Sequence, residues 1–372
     1  MIESLDTIAK QPWDAIVIGA GPAGGLAANL LSKRGYRTLL VEKSRWPRDK
    51  TCGGCVNARA MEILQSHDLA GDIIRAGTVV DRVQLRTKTR CIDAEIPEGL
   101  AIGRREMDSL LVDAFTRSGG TFLCDATATI ATASAAHRSV RLHRANEQAT
   151  ISAGVVLMCD GLSGTALQPT SRSEWVQSPD AWVGVATGDV EGVDARPGTI
   201  EMHVADGGYV GMVALPSNKV HIAAALSPAC CRDEGPRQTI TRILSDCRDE
   251  RIELPADLRL IGTGPLTKKR THLGQHRLLF VGDACGYVEP FTGQGIAWAL
   301  ATAEAAVGLL PAPGNSWPTD LPARWQALHR ATVGNEHRRC QAIRFGLHRP
   351  TLTRATAFLL NRIPALAKVA IT

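Results

Sequence analysis

Between Asp14 and Lys43 the spacing of apolar residues changes twice. Ala15–Ile18 is an unbroken apolar run with β-branched members, which predicts a short strand buried on both faces. Leu26, Leu30 and Leu31 then recur at helical spacing, and Gly35 supplies a stop. Thr38–Val41 predicts a second strand, closed by Glu42. Further on, Ala58, Met61, Ile63 and Leu64 mark an amphipathic helix. Val80, Val83 and Leu85 alternate, so 79–90 predicts a strand whose partner lies at 91–96, a hairpin of a different sheet. Leu110, Leu111, Ala114 and Phe115 predict a helix ended by Gly119-Gly120. Thr121–Leu123 is a strand, 126–149 a meander, and Val155–Cys159 another buried strand. From Trp182 to Leu226 the pattern alternates between turns; 209–215 should pair with 220–226 across Pro216-Ser-Asn-Lys. A helix is expected over 239–245, a strand before Gly282, and a long helix from about Gly293 to Leu310, stopped by Pro311. The remainder, 322–372, reads as helices with basic faces.

The first strand, helix and second strand are joined by chemistry as well as by period. Gly19, Gly21 and Gly24 form G-x-G-x-x-G, with Pro22 and Ala23 inside the turn. Gly19 permits the tight turn, Gly21 lets backbone approach a pyrophosphate, and Gly24 lets helix pack on strand. The phosphates would sit on the helix N-terminus, where free N–H groups favour an anion. Glu42, followed by Lys43, stands roughly 20 residues on, where an acid accepts from a ribose hydroxyl and disfavours a 2′-phosphate. The ligand is therefore FAD or NAD. The element order predicts an α/β chain: a three-layer, Rossmann-like domain (1–78, 101–170 and 265–320), a mostly antiparallel β domain (79–100 and 171–264), and C-terminal helices (321–372).

Composition narrows the class. With 372 residues, 44% hydrophobic and 21% charged, the chain suits two domains of an ordinary globular protein. The net charge of +5, from 42 basic and 37 acidic residues, is too mild for a nucleic-acid partner, and no basic-aromatic stripe occurs. Glu3, Asp6 and Lys10 interrupt the N-terminus as a secretory leader would not allow. No run reaches the roughly 18 apolar residues of a membrane span. These features point to the cytoplasm, where the ten cysteines stay reduced. Cys52 and Cys55 make a C-x-x-C, but no second pair follows, so neither zinc nor any other metal is expected. A redox dithiol would need a second nicotinamide domain, and no second G-x-G-x-x-G occurs. The terminal stretch 351–371 mixes Leu352, Phe358, Leu359 and Ile363 with Arg354, Arg362 and Lys368, interrupted by Pro364. It reads either as a helix packed on the body or as a peripheral membrane contact.

Three more stretches carry chemistry: Arg104-x-x-Met107-Asp108-x-x-Leu111, Asp160-Gly161 after a central strand, and Gly282-Asp283-Ala-Cys-Gly-Tyr-Val-Glu-Pro290-Phe-Thr-Gly293-Gln294-Gly295-Ile296. Asp283 at a strand end can accept from a ribityl hydroxyl. Gly293, Gln294 and Gly295 open a helix whose N–H groups would face the flavin N1–C2=O edge, where negative charge gathers on reduction. Pro290 stiffens the loop beneath the ring. Taken singly, Asp160 also reads as a turn residue, Asp283 as a helix cap and Arg104 as a solvated charge.

Together with Cys52-Gly53-Gly54, these motifs resemble the FAD-dependent hydroxylase superfamily, and within it the geranylgeranyl reductase branch. The resemblance covers roughly 14–64, 102–165 and 265–310. It implies FAD held by the first glycine turn, Arg104, Asp160-Gly161 and 282–296, with Gly53 and Gly54 against the isoalloxazine. It places Cys52 beside the ring, to orient substrate, to relay a proton, or simply to fill an apolar gap. The reductase branch carries C-G-G-G, broken here by Cys55, and an aromatic Y-x-W-x-F-P strand. Here the bulky positions fall on Gly211, Val213 and Leu215, so the substrate slot is lined differently. The expected function is oxidation or reduction of an apolar small molecule, isoprenoid or polyketide-like, with NAD(P)H as transient donor. Hydride transfer to a C=C bond competes with hydroxylation by an NAD(P)H-using monooxygenase. A prenyl-binding escort without redox activity would not need every flavin motif to be present. His203 and His221 lie in the expected substrate sheet and read as packed residues.

Overall fold

The computed structural model describes residues 4–164, 166, 175–289, 291 and 293–349. Two large sheets and a small one organise them. The first large sheet runs Gly274–Gln275, Leu278–Phe280, Glu147–Met158, Trp13–Ile18, Thr38–Val41 and Thr121–Leu123, with Thr127–Ala133 and Arg138–Arg144 paired beside Glu147–Met158. Its centre is parallel: Ile16 pairs with Leu39 on one side and Val156 on the other, and Leu279 pairs with Leu157. Helix Pro22–Lys33 covers it and packs against Gly295–Leu309, which is buried along almost its whole length. That enclosure explains why Gly295–Leu309 shows no polar face. Helix Leu321–Leu347 closes the rear, where the fully buried Trp325 donates to the Phe280 carbonyl at 2.9 Å.

The second large sheet orders as Leu260–Pro265, Val183–Val190, Lys219–Leu226, Gly208–Leu215, Thr199–Ala205, Thr78–Thr87, Arg90–Ala101 and Cys55–Val56. All its pairings are antiparallel except Thr199–Ala205 with Thr78–Thr87. The hairpin around Ser217-Asn218 is present, with Gly211 opposite Ala223. One face packs Val210, Met212 and Ile222 on Ile240, Ile243 and Leu244 of helix Pro236–Arg248. The other face turns toward the first sheet. A three-stranded sheet of Trp175–Gln177, Lys268–Arg270 and Gly286–Tyr287 lies beside it.

Several boundaries move from the sequence reading. The strand expected at 91–96 runs from Arg90 to Ala101, because cross-strand pairs with Thr78–Thr87 continue past Ile96. Cys55–Val56, expected with the first domain, pairs with Leu100 and Ala101 of the second sheet. The helix expected at 239–245 spans Pro236–Arg248, since Pro236 suits a first helical position. The long helix begins at Gly295 rather than Gly293. The stretch 351–371 and Pro290 lie outside the described residues. Among the described residues no helix is long and apolar enough to cross a membrane, and no group of His, Cys, Asp and Glu could hold a metal ion.

Candidate active site

A cavity of about 840 Å³ is lined by both large sheets, a size usual for small-molecule sites. Its polar end is built on the first sheet. Gly19 leaves strand Trp13–Ile18, and Gly21, Pro22 and Ala23 open the following helix on the cavity wall. No side chain caps that helix, so its first N–H groups are available to a ligand. Gly24 is off the wall; a Cβ there would stand 1.8 Å from the Gly19 carbonyl oxygen, so the turn itself requires glycine.

Glu42 is buried and already engaged. Its Oε2 accepts from Ala20 N and Arg48 Nε, each at 3.1 Å, and its Oε1 from Ser44 N at 3.1 Å. Burial opposes its ionisation, but Arg48 and the two amides outweigh this and hold the carboxyl below its ordinary range. Arg48, which sequence reasoning missed, also donates to Asp108 Oδ2 at 2.7 Å. Asp108 is fully buried and accepts from Arg104 Nε at 3.0 Å and Nη2 at 2.9 Å. A charge chain Glu42–Arg48–Asp108–Arg104 therefore runs along the cavity wall, with only Asp108 set behind it, and Arg104 reaches the Cys52 thiol. Arg104 ends well above the usual guanidinium value: burial works against its charge, and Asp108 and Cys52 overcome it.

Cys52, Gly53 and Cys55 are on the wall. Cys52 Sγ accepts from Gly54 N at 3.4 Å, and its carbonyl accepts from His221 Nε2 at 2.7 Å. Both thiols are free, and burial, then Cys52, pushes Cys55 up to about 12. Gly54 faces away; its φ of +68° suits glycine, and its carbonyl accepts from Ile102 N. His203 is buried elsewhere, beside Glu201 and Arg248, and is lowered to about 4 chiefly by burial and then by Arg248.

Beside Gly19, Asp160 and Gly161 begin a short turn. Asp160 Oδ2 accepts from Ala166 N at 3.2 Å, whereas Oδ1 is buried with no hydrogen-bond partner among the described residues. Burial raises its pKa. Lys43 Nζ donates to Ser163 Oγ at 3.3 Å. Gly293, Gly295 and Ile296 reach the wall, while Gln294 turns aside and accepts from Asn57 Nδ2 at 2.8 Å. Gly282 is packed on Ala23 behind the wall.

Asp283 stands on the wall, and burial pushes its carboxyl up to about 6 against the pull of Arg104, Lys268 and Lys50. Between its ordinary pKa of 3.8 and about 6 the folded state binds more protons than the unfolded one. Stability from this group is thus present at low pH and lost as pH rises through about 6. Asp283→Asn is expected to raise the melting temperature of cofactor-free protein at pH 8 by a few degrees and to flatten its gain on acidification to pH 5. Parallel melting curves of the two proteins across that pH range check this.

The other end of the cavity is apolar. Tyr209, Gly211, Val213, Ala223, Ala225 and Met202 line it from the second sheet. Phe291 adds its ring from the loop before Gly295 and stands edge-on to Tyr209 at 5.0 Å. Leu215, expected in the slot, packs instead with Val80 and Ala101. Sequence alternation indicated this face, but Met202 and Phe291 come from segments whose convergence no spacing announces.

Open helix starts, an orphaned acceptor at Asp160 and an acid beside the first strand fit a long, diphosphate-bearing cofactor such as FAD. The family model of the FAD binding domain matches residues 13–312. A menaquinone reductase of Mycolicibacterium smegmatis is 26% identical over 338 residues, covering 83% of this chain and 80% of the relative. A digeranylgeranylglycerophospholipid reductase 2 of Methanothermobacter thermautotrophicus is 24% identical over 305 residues, 79% of this chain and 76% of the relative. The solved structure of a geranylgeranyl bacteriochlorophyll reductase-like protein from Thermoplasma acidophilum shares the fold, with a TM-score of 0.77 and 18% identity over 92% of this chain and 90% of that one. The open glycine turn, the acids around the cavity and a family match spanning both sheets agree: this chain belongs to the FAD binding domain family and is an FAD-dependent oxidoreductase.

Proposed function

We propose that the protein reduces a carbon–carbon double bond of a slim, apolar, isoprenoid-type molecule. The observation that carries this reading is the slot beside the cofactor end. Its sheet wall is Gly211, Val213, Ala223, Ala225 and Met202, without a charged side chain. Such a wall excludes water and suits an unbranched or methyl-branched chain better than a polar aromatic ring. The relatives that act on menaquinone and on geranylgeranyl lipids support the same substrate class.

When bound, FAD supplies the hydride, having been reduced by a transient donor, for which we assign NAD(P)H. Gly19, Gly21, Pro22 and Ala23 would hold its diphosphate, with Gly24 shaping the turn. Glu42 and Lys43 would face the ribose end, Arg104, Asp160, Gly161 and Asp283 the polar chain. Gly293, Gln294, Gly295 and Ile296 would present the helix start to the ring, with Gly282 packed behind that loop and Gly53 and Gly54 on the other side. The substrate is held against the ring by the small-residue wall.

Cys52 we assign to orienting the substrate at the ring edge. Cys52→Ser is expected to keep its FAD and accept electrons, yet lose at least tenfold in turnover, about 1.4 kcal/mol of barrier. Cys55→Ser should be nearly silent, because its thiol sits on Gly53 O at 3.4 Å and offers little to a ligand. Full turnover in both would reduce Cys52 to packing. Loss in both, with a disulfide found between them, would favour dithiol chemistry.

The decisive experiment reduces the FAD-loaded protein anaerobically with dithionite, adds menaquinone or a geranylgeranyl lipid, and reads product masses before and after air. Two added hydrogens that persist after air, which returns any quinol ring to quinone, support the reductase. A product that appears only with air and carries one added oxygen would mean hydroxylation instead.

A further inference from the structure

Behind the apolar end of the slot lies a buried polar file that the cofactor site does not use. The Tyr209 hydroxyl lies against the Glu289 carboxyl. Glu289 is 1% exposed, and its Oε1 has no hydrogen-bond partner among the described residues. Its Oε2 is 3.2 Å from His348 Nε2. His348 Nδ1 is 3.9 Å from Asp180 Oδ2, and the Asp180 side chain is 63% exposed. The file thus begins on the cavity wall and ends in solvent.

Its members come from four separated segments: strand Gly208–Leu215, the loop after Gly286–Tyr287, the end of helix Leu321–Leu347, and the turn before Val183–Val190. Trp182 holds the file in place. It stacks on the His348 ring with centroids 3.8 Å apart and planes 9° from parallel, and packs against Tyr209 at 6.1 Å. A carboxyl enclosed with one oxygen unpaired is costly. An apolar residue before Pro290 would fill the same space without that cost.

We propose that Tyr209, Glu289, His348 and Asp180 form a proton relay from solvent to the substrate, with Tyr209 donating to the atom that does not receive the hydride. This inference rests on the reductive reading above. As the Tyr209 O–H bond breaks, the new bond from hydrogen to substrate forms. A proton passes from His348 through Glu289 to the phenol oxygen in one shift, and solvent at Asp180 restores His348. The hydride from the reduced cofactor carries both electrons, so hydride and proton together account for the two hydrogens gained, and the relay ends unchanged. Burial, reinforced by Glu289, Tyr287 and Cys340, keeps the Tyr209 phenol far above its ordinary pKa; the donor is therefore protonated at any working pH. Arg344 anchors the outer end through Asp180.

The test uses the full chain loaded with FAD, reduced anaerobically and mixed with a geranylgeranyl lipid, with flavin reoxidation followed in H₂O and in D₂O. Tyr209→Phe is expected to slow reoxidation about a hundredfold. Glu289→Gln, which keeps shape, should slow it at least tenfold and enlarge the solvent isotope effect, while lipid affinity and dithionite reduction stay as in wild type. Melting temperatures of the FAD-free variants establish that both fold. Wild-type rates and isotope effects in both variants overturn the relay and leave the reductive reading standing. A wild-type protein that inserts oxygen and reduces no lipid overturns the reading and the relay with it. Slow reoxidation accompanied by weakened lipid affinity and no change in isotope effect assigns the file to substrate packing and also overturns the relay.

Discussion

Asp108→Ala is expected to cost about 3–5 kcal/mol of stability and to release FAD on purification. Asp108 contacts neither the cavity nor solvent, being fully buried. It is the carboxylate that both Arg48 and Arg104 share, at 2.7 Å and 2.9 Å. Removing it leaves two guanidiniums enclosed. Arg48 retains Glu42 at 3.1 Å, but Arg104 loses both of its bonds to a carboxylate. The cost comes mainly from stranded charge rather than from a lost attraction. The strain falls where a cofactor would be felt most, because Arg48 orients Glu42 and Arg104 lies over Gly21, where a Cβ would be 3.2 Å from Nη2. Asp108→Asn keeps an acceptor and the side-chain volume, so it should fall between wild type and Ala. Urea unfolding and the flavin absorbance of purified protein measure both effects. A loss below about 1 kcal/mol with full flavin content would mean that the two arginines find solvent or other acceptors, and that the chain of charges is not the frame of the site.

The second large effect is expected at Gly211. Its strand neighbours Tyr209 and Val213 face the cavity with it, and Ala223 stands opposite. A Cβ added at Gly211 would meet Met202 Sδ at 3.1 Å and the Ala223 carbonyl oxygen at 3.6 Å. The flexible thioether can move for one methyl, so Gly211→Ala should cost little. Gly211→Trp puts an indole into the slot and is expected to reduce turnover at least a hundredfold, about 2.7 kcal/mol, with FAD content and dithionite reduction unchanged. Unaltered turnover in the Trp variant would show that substrate approaches the cofactor by another route.

What the amino-acid order determined by itself was local. The glycine turn 19–24, the strand before it and the acid after it are read within one stretch, because backbone conformation and period are properties of neighbouring residues. The hairpin across Ser217-Asn218 was legible for the same reason. So were the helix near Arg104 and the strand leading to Asp283, and with them the FAD-binding family. Tertiary structure decided the rest. Gly24, Gly54, Gly282 and Gln294 belong to the motifs yet stand off the cavity wall, since motif spacing fixes order along the chain and not direction in space. Arg48 sits in a polar segment that reads as a loop; only its burial between Glu42 and Asp108, the latter 60 positions away, makes it part of the site. Leu215 shares its alternation with Gly211 and Val213 but packs on Val80, because the sheet carries its end past the cavity. The file from Tyr209 through Glu289 to His348 joins residues separated by up to 139 positions (348 − 209). No period or spacing links them, because their meeting depends on how one sheet, one loop and the end of the last described helix pack together.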